Sequence, residues 1–251
     1  MAIDVTVIVN LHREGRLASA TLESVNKAVV RCKLEGLTCE CISILDRSDA
    51  DTLDVIHSYG PHFQVVQTDF GDLSKARNYA VSIAKGKYCT FIDGDDLWGE
   101  DWIWRTFRAL SKIDSDLVVV HPQINMYFGR GVTPYFWVHP DMRFESVSRE
   151  DIFSGNRWTA LSFASKNLYE KFPYHENEIN RGFGYEDWLW HIETIYNGVL
   201  HITVDKTIHF VRRKSNGSLL QQSNHKHVLP NISKLENVDF ILADRMKYAK
   251  Y

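Results

Sequence analysis

No run of apolar residues in this chain approaches the roughly 20 needed to span a bilayer. Its start, Met1-Ala2-Ile3-Asp4-Val5, has no basic segment leading into a long apolar one. Neither a membrane span nor a secretory leader is therefore expected. Basic charge is not in surplus: 29 Lys and Arg stand against 32 Asp and Glu, a formal net charge of -3. A dedicated nucleic-acid binder normally shows a basic excess or stripe, so no nucleic-acid partner is expected. The one basic cluster, Arg212-Arg213-Lys214, is too short to line a groove. Cysteine is scarce. Cys32, Cys39, Cys41 and Cys89 match no paired zinc spacing. Cys39 and Cys41 alternate onto one face of a strand-like segment, which suits core packing. Reduced, structural thiols are expected, and with them a cytoplasmic location, extending to peripheral association with the inner face of a membrane.

What is present is an ordinary globular composition, 251 residues with 44% hydrophobic and 24% charged. That length suits one large α/β domain with a short appendage. Apolar, β-branched runs predict strands at Val5–Asn10, Cys39–Asp46, Phe63–Gln67 and Tyr88–Ile92. Between them, helical spacing of apolar residues predicts helices at Leu17–Lys33, Asp51–Tyr59 and Leu73–Lys85. Alternation of this kind implies a mainly parallel sheet covered by helices, with ligands bound beyond the carboxyl ends of the strands. Three of the four strands end on or beside a polar group suited to that place: Asn10, Asp46 and Asp93.

The second half is less regular. It predicts a helix at Asp101–Leu110, a strand at Asp116–His121, an aromatic hairpin or loop from Tyr127 to Trp137, and a helix at Glu186–Tyr196. Two further strands are expected at Leu200–Val204 and Thr207–Val211, and a last helix at Ile232–Tyr248. We read residues 1–214 as one domain and 215–251 as a partly helical C-terminal extension.

The sharpest motif is Asp93-Gly94-Asp95-Asp96. Three carboxylates within four residues repel one another unless solvent or a cation relieves them. A plain surface turn would also use Asp and Gly. Placed at the end of a buried strand, the same carboxylates suit a hard divalent ion that leaves positions open for phosphate.

In order, Gly71, Ala76-Arg77-Asn78, Ala84-Lys85-Gly86, the strand Tyr88–Ile92 and the acidic turn resemble the family 2 glycosyltransferases. The resemblance runs from about Val5 to Arg213. It implies a GT-A type, Rossmann-like α/β fold whose mainly parallel sheet is flanked by helices. It also implies an inverting, metal-dependent enzyme that moves a sugar from a nucleotide-diphosphate donor, a UDP-sugar, to a glycan or lipid-linked glycan hydroxyl in surface polysaccharide synthesis, within a larger glycan synthase. Mapped residue by residue, Asn10, Asp46 and Arg77 would hold the nucleoside, with Asp93, Asp95, Arg212 and Arg213 at the diphosphate. Lys214 and Ser218 would close over it. Asp93, Asp95 and His209, with Asp96 as a further candidate, would bind Mn²⁺ or Mg²⁺.

Within Gly182-Phe183-Gly184-Tyr185-Glu186-Asp187-Trp188, the resemblance makes Asp187 the base and Glu186 its neighbour in the catalytic pair. An ordinary carboxyl pKa near 4 would leave Asp187 ionised at neutral pH. Both acids also suit a helix N-terminus with no catalytic role. Asp51 reads as the N-cap of its helix more readily than as a base contact. Trp158 and Trp188 flank the expected site loops and are candidates to stack on an acceptor sugar, against packing in the core.

Two other classes compete with this reading. A nucleotidyltransferase making nucleotide-sugars would need a glycine-rich, basic cradle after the first strand. Asn10–Arg16 has one glycine. A non-catalytic glycan-binding module could keep the same fold without turnover.

Overall fold

The computed structural model describes residues 2–113, 115–214 and 219–235. Its strands are β1 (Ile3–Leu11), β2 (Cys39–Asp46), β3 (Gln64–Thr68), β4 (Gly86–Asp93), β5 (Leu97–Trp98), β6 (Val118–Phe128), β7 (Tyr135–Val138), β8 (Phe163–Ser165) and β9 (Leu200–Arg212). Its helices are α1 (Leu17–Leu34), α2 (Ala50–Ser58), α3 (Leu73–Ile83), α4 (Trp102–Leu110), α5 (Arg149–Ser154), α6 (Lys166–Lys171), α7 (Glu186–Tyr196) and α8 (Leu219–His225). The strands form one sheet in the order β3-β2-β1-β4-β8-β6-β9-β5, with β7 hairpinned onto β6. As the alternation predicts, β1 to β4 pair in parallel. One short antiparallel strand, β8, joins this half to the parallel pair β6/β9.

Helices lie on both faces. Val5, Val7, Val9 and Leu11 of β1 pack with α1 and α4 in one core, while Ile8 packs with α3, α6 and Trp190 of α7 in the other. Ile42 and Ile44 of β2 and Cys89 and Phe91 of β4 share the second core. Because side chains alternate along a strand, Asn10, Asp46 and Asp93 continue those rows. All three end on the face covered by α3 and α7. The register sets Asn10 directly beside Asp93. Strand order reverses between β1 and β4, the position where open α/β sheets form their ligand crevice.

Several boundaries differ from the sequence pattern. The two strands expected at 200–204 and 207–211 are one strand, β9, because a bulge is stitched from the side. Lys206 takes a left-handed φ of 61. Gln123 Oε1 accepts from the Lys206 N–H at 3.0 Å, and the Gln123 N–H donates to Thr207 Oγ1 at 3.0 Å. The aromatic stretch is a true hairpin, β6/β7. The N-cap of α2 is Asp49, whose carboxylate accepts from the Thr52 N–H at 3.0 Å, and Asp51 sits inside the first turn. Cys41 and Cys89 are buried thiols pushed up to about 12 by desolvation, and among the described residues the cysteines are free. No described helix is long and apolar enough to cross a membrane.

The described part of the C-terminal extension packs back onto the domain. Leu229 pairs with the 182–184 segment through Leu229 N–H to Gly182 O and Gly184 N–H to Leu229 O. Leu235 joins Leu189 and Ile192 of α7. Of the helix expected at Ile232–Tyr248, residues 232–234 form a single 3-10 turn, and the part beyond Leu235 lies outside the described residues, as does Ser218.

Candidate active site

The acidic turn begins where β4 leaves the sheet. The Gly94 N–H donates to Asn10 O at 2.8 Å, folding the turn against the end of β1. A side chain at Gly94 would put its Cβ 2.5 Å from Leu11 Cδ2 and 2.9 Å from Asn10 O, so this approach requires glycine. Asn10 is 7% exposed, and neither its amide nitrogen nor its oxygen has a partner. A buried orphan amide at the mouth of the crevice marks a place for a polar ligand.

The three carboxylates of the turn point in different directions. Asp93 accepts from Arg77 Nη2 at 3.2 Å. Asp95 pairs with Lys214 Nζ at 2.8 Å, and its carboxyl is pushed up to about 6 by burial and then by Asp96. Asp96 turns inward, accepting from His209 Nε2 at 3.1 Å and from the Arg212 N–H at 2.7 Å. Arg212 Nε donates to Asp95 O at 2.8 Å. These bonds tie Asp96, Arg212 and His209 together at the turn. His209 was expected beside Asp93 and Asp95 as a ligand. Instead its ring lies between Asp96 and Thr159. Among the described residues, no three donors of the acidic turn and His209 come within 4.8 Å of one another. Arg213 lies over the Tyr127 ring and donates to Tyr135 Oη at 3.3 Å, so it braces the hairpin.

The centre of the site is Arg77. It is 1% exposed on α3, stacked 5.2 Å over Tyr174, and donates to Glu186 Oε1 at 2.9 Å as well as to Asp93. Burial alone would weaken its hold on a proton, but Asp93 and Glu186 outweigh that and keep its pKa above the ordinary arginine range. Glu186 is buried, and its second oxygen accepts from Asn177 Nδ2 at 3.0 Å. Both of its oxygens thus have partners within the protein. Of the two acids expected as a catalytic pair, Glu186 is the one bonded to Arg77.

The second acid is Asp187, in the first turn of α7. The turn is entered through Tyr185, a non-glycine residue at φ 58, a strained conformation of the kind that clusters at functional sites. Gly184, just before it, would set a Cβ 2.8 Å from Ile179 and Val228. The Asp187 carboxyl is pushed up to about 7, by burial first and by Glu186 second, with Arg77 pulling it back. The ordinary value near 4 expected from the sequence fails because the desolvation is tertiary. An acid of this strength suits proton transfer near neutral pH better than an ordinary one.

Asp46 closes the far side. Its carboxylate accepts from Thr68 Oγ1 at 3.1 Å and from the N–H groups of Phe70 and Gly71 at 2.6 and 2.8 Å, fixing the entry to α3. Of the two tryptophans, Trp158 is 1% exposed, donates to Pro140 O and stacks on His121. It belongs to the core and cannot offer a face to a sugar. Trp188 is part-buried and donates to Ile152 O at 2.7 Å.

Pattern reading missed Glu14 and Asn156. Glu14 is raised above its ordinary pKa by burial and closes on the His12 N–H at 2.6 Å, adding to the acidic wall. Asn156 Nδ2 donates to Asp187 Oδ2 at 2.9 Å. Both come from loops, where no periodicity marks them.

Behind α7 lie three buried imidazoles, His121, His191 and His201, with one ring nitrogen of each within 4.8 Å of the others. The His121 Nε2 to His201 Nδ1 separation is 2.9 Å, with ring centroids 5.1 Å apart. Those values describe two rings pointed at each other in a straight hydrogen bond, whereas two nitrogens on one zinc at tetrahedral angles stand about 3.3 Å apart. Burial holds all three well below the ordinary histidine pKa, so they are neutral.

By fold, this is a GT-A type α/β domain. Its described residues resemble S. aureus TarS 1–349 in complex with UDP-GlcNAc at a TM-score of 0.63, with 18% identity over 86% of this chain and 60% of that one. Residues 6–172 match the glycosyl transferase family 2 model, more than half of the chain, and the chain belongs to that family. Among curated relatives, a poly(ribitol-phosphate) beta-N-acetylglucosaminyltransferase, TarP of Staphylococcus aureus, is 27% identical over 77% of this chain and 58% of its own length. A poly(ribitol-phosphate) beta-glucosyltransferase of Bacillus spizizenii is 23% identical over 60% of this chain. The chain spans only 24% of that relative's length.

Proposed function

We propose that this chain is an inverting glycosyltransferase that transfers a sugar from a UDP-sugar to a hydroxyl of a glycan in surface polysaccharide synthesis. The observation that carries the proposal is Arg77. One buried guanidinium joins Asp93, at the switch-point crevice, to Glu186, the residue next to a carboxyl poised near neutrality. Donor and base are thereby held in fixed relation, which is what a single in-line displacement demands. The relatives' poly(ribitol-phosphate) activities and the UDP-GlcNAc complex of TarS support the donor and acceptor classes.

In this mechanism the orphan amide of Asn10 and the turn capped by Asp46 line the nucleoside end. Asp93 and Asp95 fit a hard divalent ion, Mn²⁺ or Mg²⁺. Each is a carboxylate with one oxygen on a protein cation, and the two sit where charge crowding already raises Asp95. Such an ion would supply charge neutralisation for the departing diphosphate. Lys214 and Arg77 are the chain's own cations there. Asp187 takes the proton from the acceptor hydroxyl as that oxygen attacks C1 of the sugar from the face opposite the diphosphate. The attack forms one C–O bond and breaks the other, inverting the anomeric centre, as the reverse geometry does in inverting hydrolysis.

The test is UDP release from UDP-GlcNAc and from UDP-glucose, with Mn²⁺ and poly(ribitol phosphate), in wild type and Asp187→Asn. Release should be acceptor-dependent and fall at least about a hundredfold in the variant. Stabilisation by UDP with Mn²⁺ in thermal melts should survive in that variant. Near-normal transfer by Asp187→Asn, or no stabilisation of wild type by UDP, overturns the assignment.

A further inference from the structure

We propose that Asn156 is the positioning residue for Asp187: its side chain, held from behind by His191, orients the carboxylate and selects which of its oxygens takes the proton. The inference rests on the reading of Asp187 as the base.

Asp187 and His191 stand one turn apart on α7, so they share a face of the helix. The Asn156 side chain spans that turn with two bonds, donating from Nδ2 to Asp187 Oδ2 at 2.9 Å and meeting His191 Nδ1 through Oδ1 at 2.8 Å. With Asp187 ionised, as a base must be, the pattern has only one polarity. An ionised carboxylate accepts and cannot donate, so the amide must present its NH₂ to Asp187 and its carbonyl to His191. His191 must then carry its single proton on Nδ1. Burial and the neighbouring His201 keep that ring neutral, so its tautomer stays fixed rather than exchanging with solvent.

The ring cannot swing away, because Trp158 and His201 pack against it with centroids 5.7 and 5.5 Å distant. The loop carrying Asn156 is pinned just beyond it. Trp158 Nε1 donates to Pro140 O at 3.1 Å, and the Thr159 N–H donates to His139 Nε2 at 2.9 Å.

An amide donor on Oδ2 favours the charged carboxylate and disfavours protonation at that oxygen. The transferred proton is therefore directed to Oδ1. Other groups act on the same carboxyl: Glu186 beside it on α7, Arg77 from α3, Asp93 from the end of β4, Tyr174 and Tyr185 from the preceding loop, and Tyr127 from β6. Among these, Arg77 already bonds Glu186 and Asp93. Among the described residues, Asn156 is the side chain with a hydrogen bond to Asp187 itself, beside the backbone N–H of Trp188.

The experiment is a ¹³Cγ-aspartate NMR titration, with the Asp187 signal assigned by its loss in Asp187→Asn. Replacing Asn156→Ala should raise the Asp187 midpoint by about one pH unit, the effect of removing a charge-assisted donor. The acid limb of kcat/KM for UDP-GlcNAc should move the same way, with the donor KM unchanged. His191→Asn, which keeps an N–H in place of Nδ1–H, should leave the midpoint where it is, and His191→Leu should raise it. A folded Asn156→Ala protein whose midpoint stays put overturns the proposal. If that variant does not fold, equal midpoints in His191→Asn and His191→Leu do the same. Normal transfer by Asp187→Asn sinks the base reading alone, because the titration measures the coupling without substrate.

Discussion

Replacing Arg77→Met removes the cation that is buried, among the described residues, between Asp93 and Glu186. The side chain is 1% exposed and holds Glu186 at 2.9 Å and Asp93 at 3.2 Å, with Glu186 itself 6% exposed. Taking away one partner of a buried pair leaves a charge that neither water nor protein compensates, at about 3–5 kcal/mol. Against a typical total of about 5–15 kcal/mol, that is a large part of the stability. The loss should depend on pH. With the guanidinium gone, Glu186, Asp187 and Asp93 face one another unrelieved, and protonating one of them is the simplest way out. Arg77 also pulls the Asp187 carboxyl down, so without it that group moves above about 7. The deficit should thus be full at pH 8 and clearly smaller at pH 5.5.

Urea denaturation of wild type, Arg77→Met, Glu186→Gln and the double variant at both pH values measures this directly. The double variant should recover part of the loss, with a coupling energy of about 2 kcal/mol or more at pH 8. A coupling within about 0.5 kcal/mol of zero, or the same deficit at both pH values, would refute the claim that Arg77 is there to hold these carboxylates.

Two more outcomes follow from the same geometry. The Asp187 carboxyl holds its proton up to about pH 7 when folded, and to about 3.9 when unfolded. Between those values the folded state binds more protons, so this group's contribution to stability falls as pH rises and is lowest above 7. Asp187→Asn should therefore melt higher than wild type at pH 8, by on the order of 2 kcal/mol, and nearly level with it at pH 4. A melting temperature at or below wild type at pH 8 would show that the carboxylate is not strained by its surroundings. Gly94→Ala sets a methyl 2.5 Å from Leu11 Cδ2 and 2.9 Å from the Asn10 carbonyl, which is backbone and cannot yield. It should cost about 1–3 kcal/mol and weaken UDP stabilisation with Mn²⁺. A variant as stable as wild type, with intact UDP binding, would mean the turn can relax.

The strand-end part of the candidate site was legible because it obeys local rules. Apolar runs marked β1, β2 and β4, and alternation carried Asn10, Asp46 and Asp93 to one face without any knowledge of tertiary structure. Arg77 was found only through the resemblance, since nothing in the pattern of α3 says that an arginine is fully buried. The base side was harder to read. Asn156 and Glu14 sit in loops, and their partners lie far off in sequence or bend back locally. Trp158 could not be told from a sugar platform, because an aromatic beside a site loop and one beneath it have the same composition. His209 had the spacing of a ligand, but the inward turn of Asp96 claimed its Nε2.

The polar groups on and around the first turns of α7 have a feature in common that bears on the proposed mechanism. The state of each is set by what covers it: Glu186 by Arg77 and Asn177, Asp187 by burial and Asn156, His191 by Trp158 and His201. The proposed donor turn needs only to be at the right strand end, where Asp93 keeps about a third of its side chain exposed while Asp96 turns inward. A base at Asp187, as proposed, must be held ionisable inside the protein, which a surrounding set of committed partners can do. A substitution in the turn should therefore act mainly on donor binding, whereas one behind α7 should act through the protonation of Asp187 without touching any substrate. Asn156→Ala and Gly94→Ala separate the two. The first should move a pH midpoint at constant donor affinity, and the second should lower donor affinity at a constant midpoint.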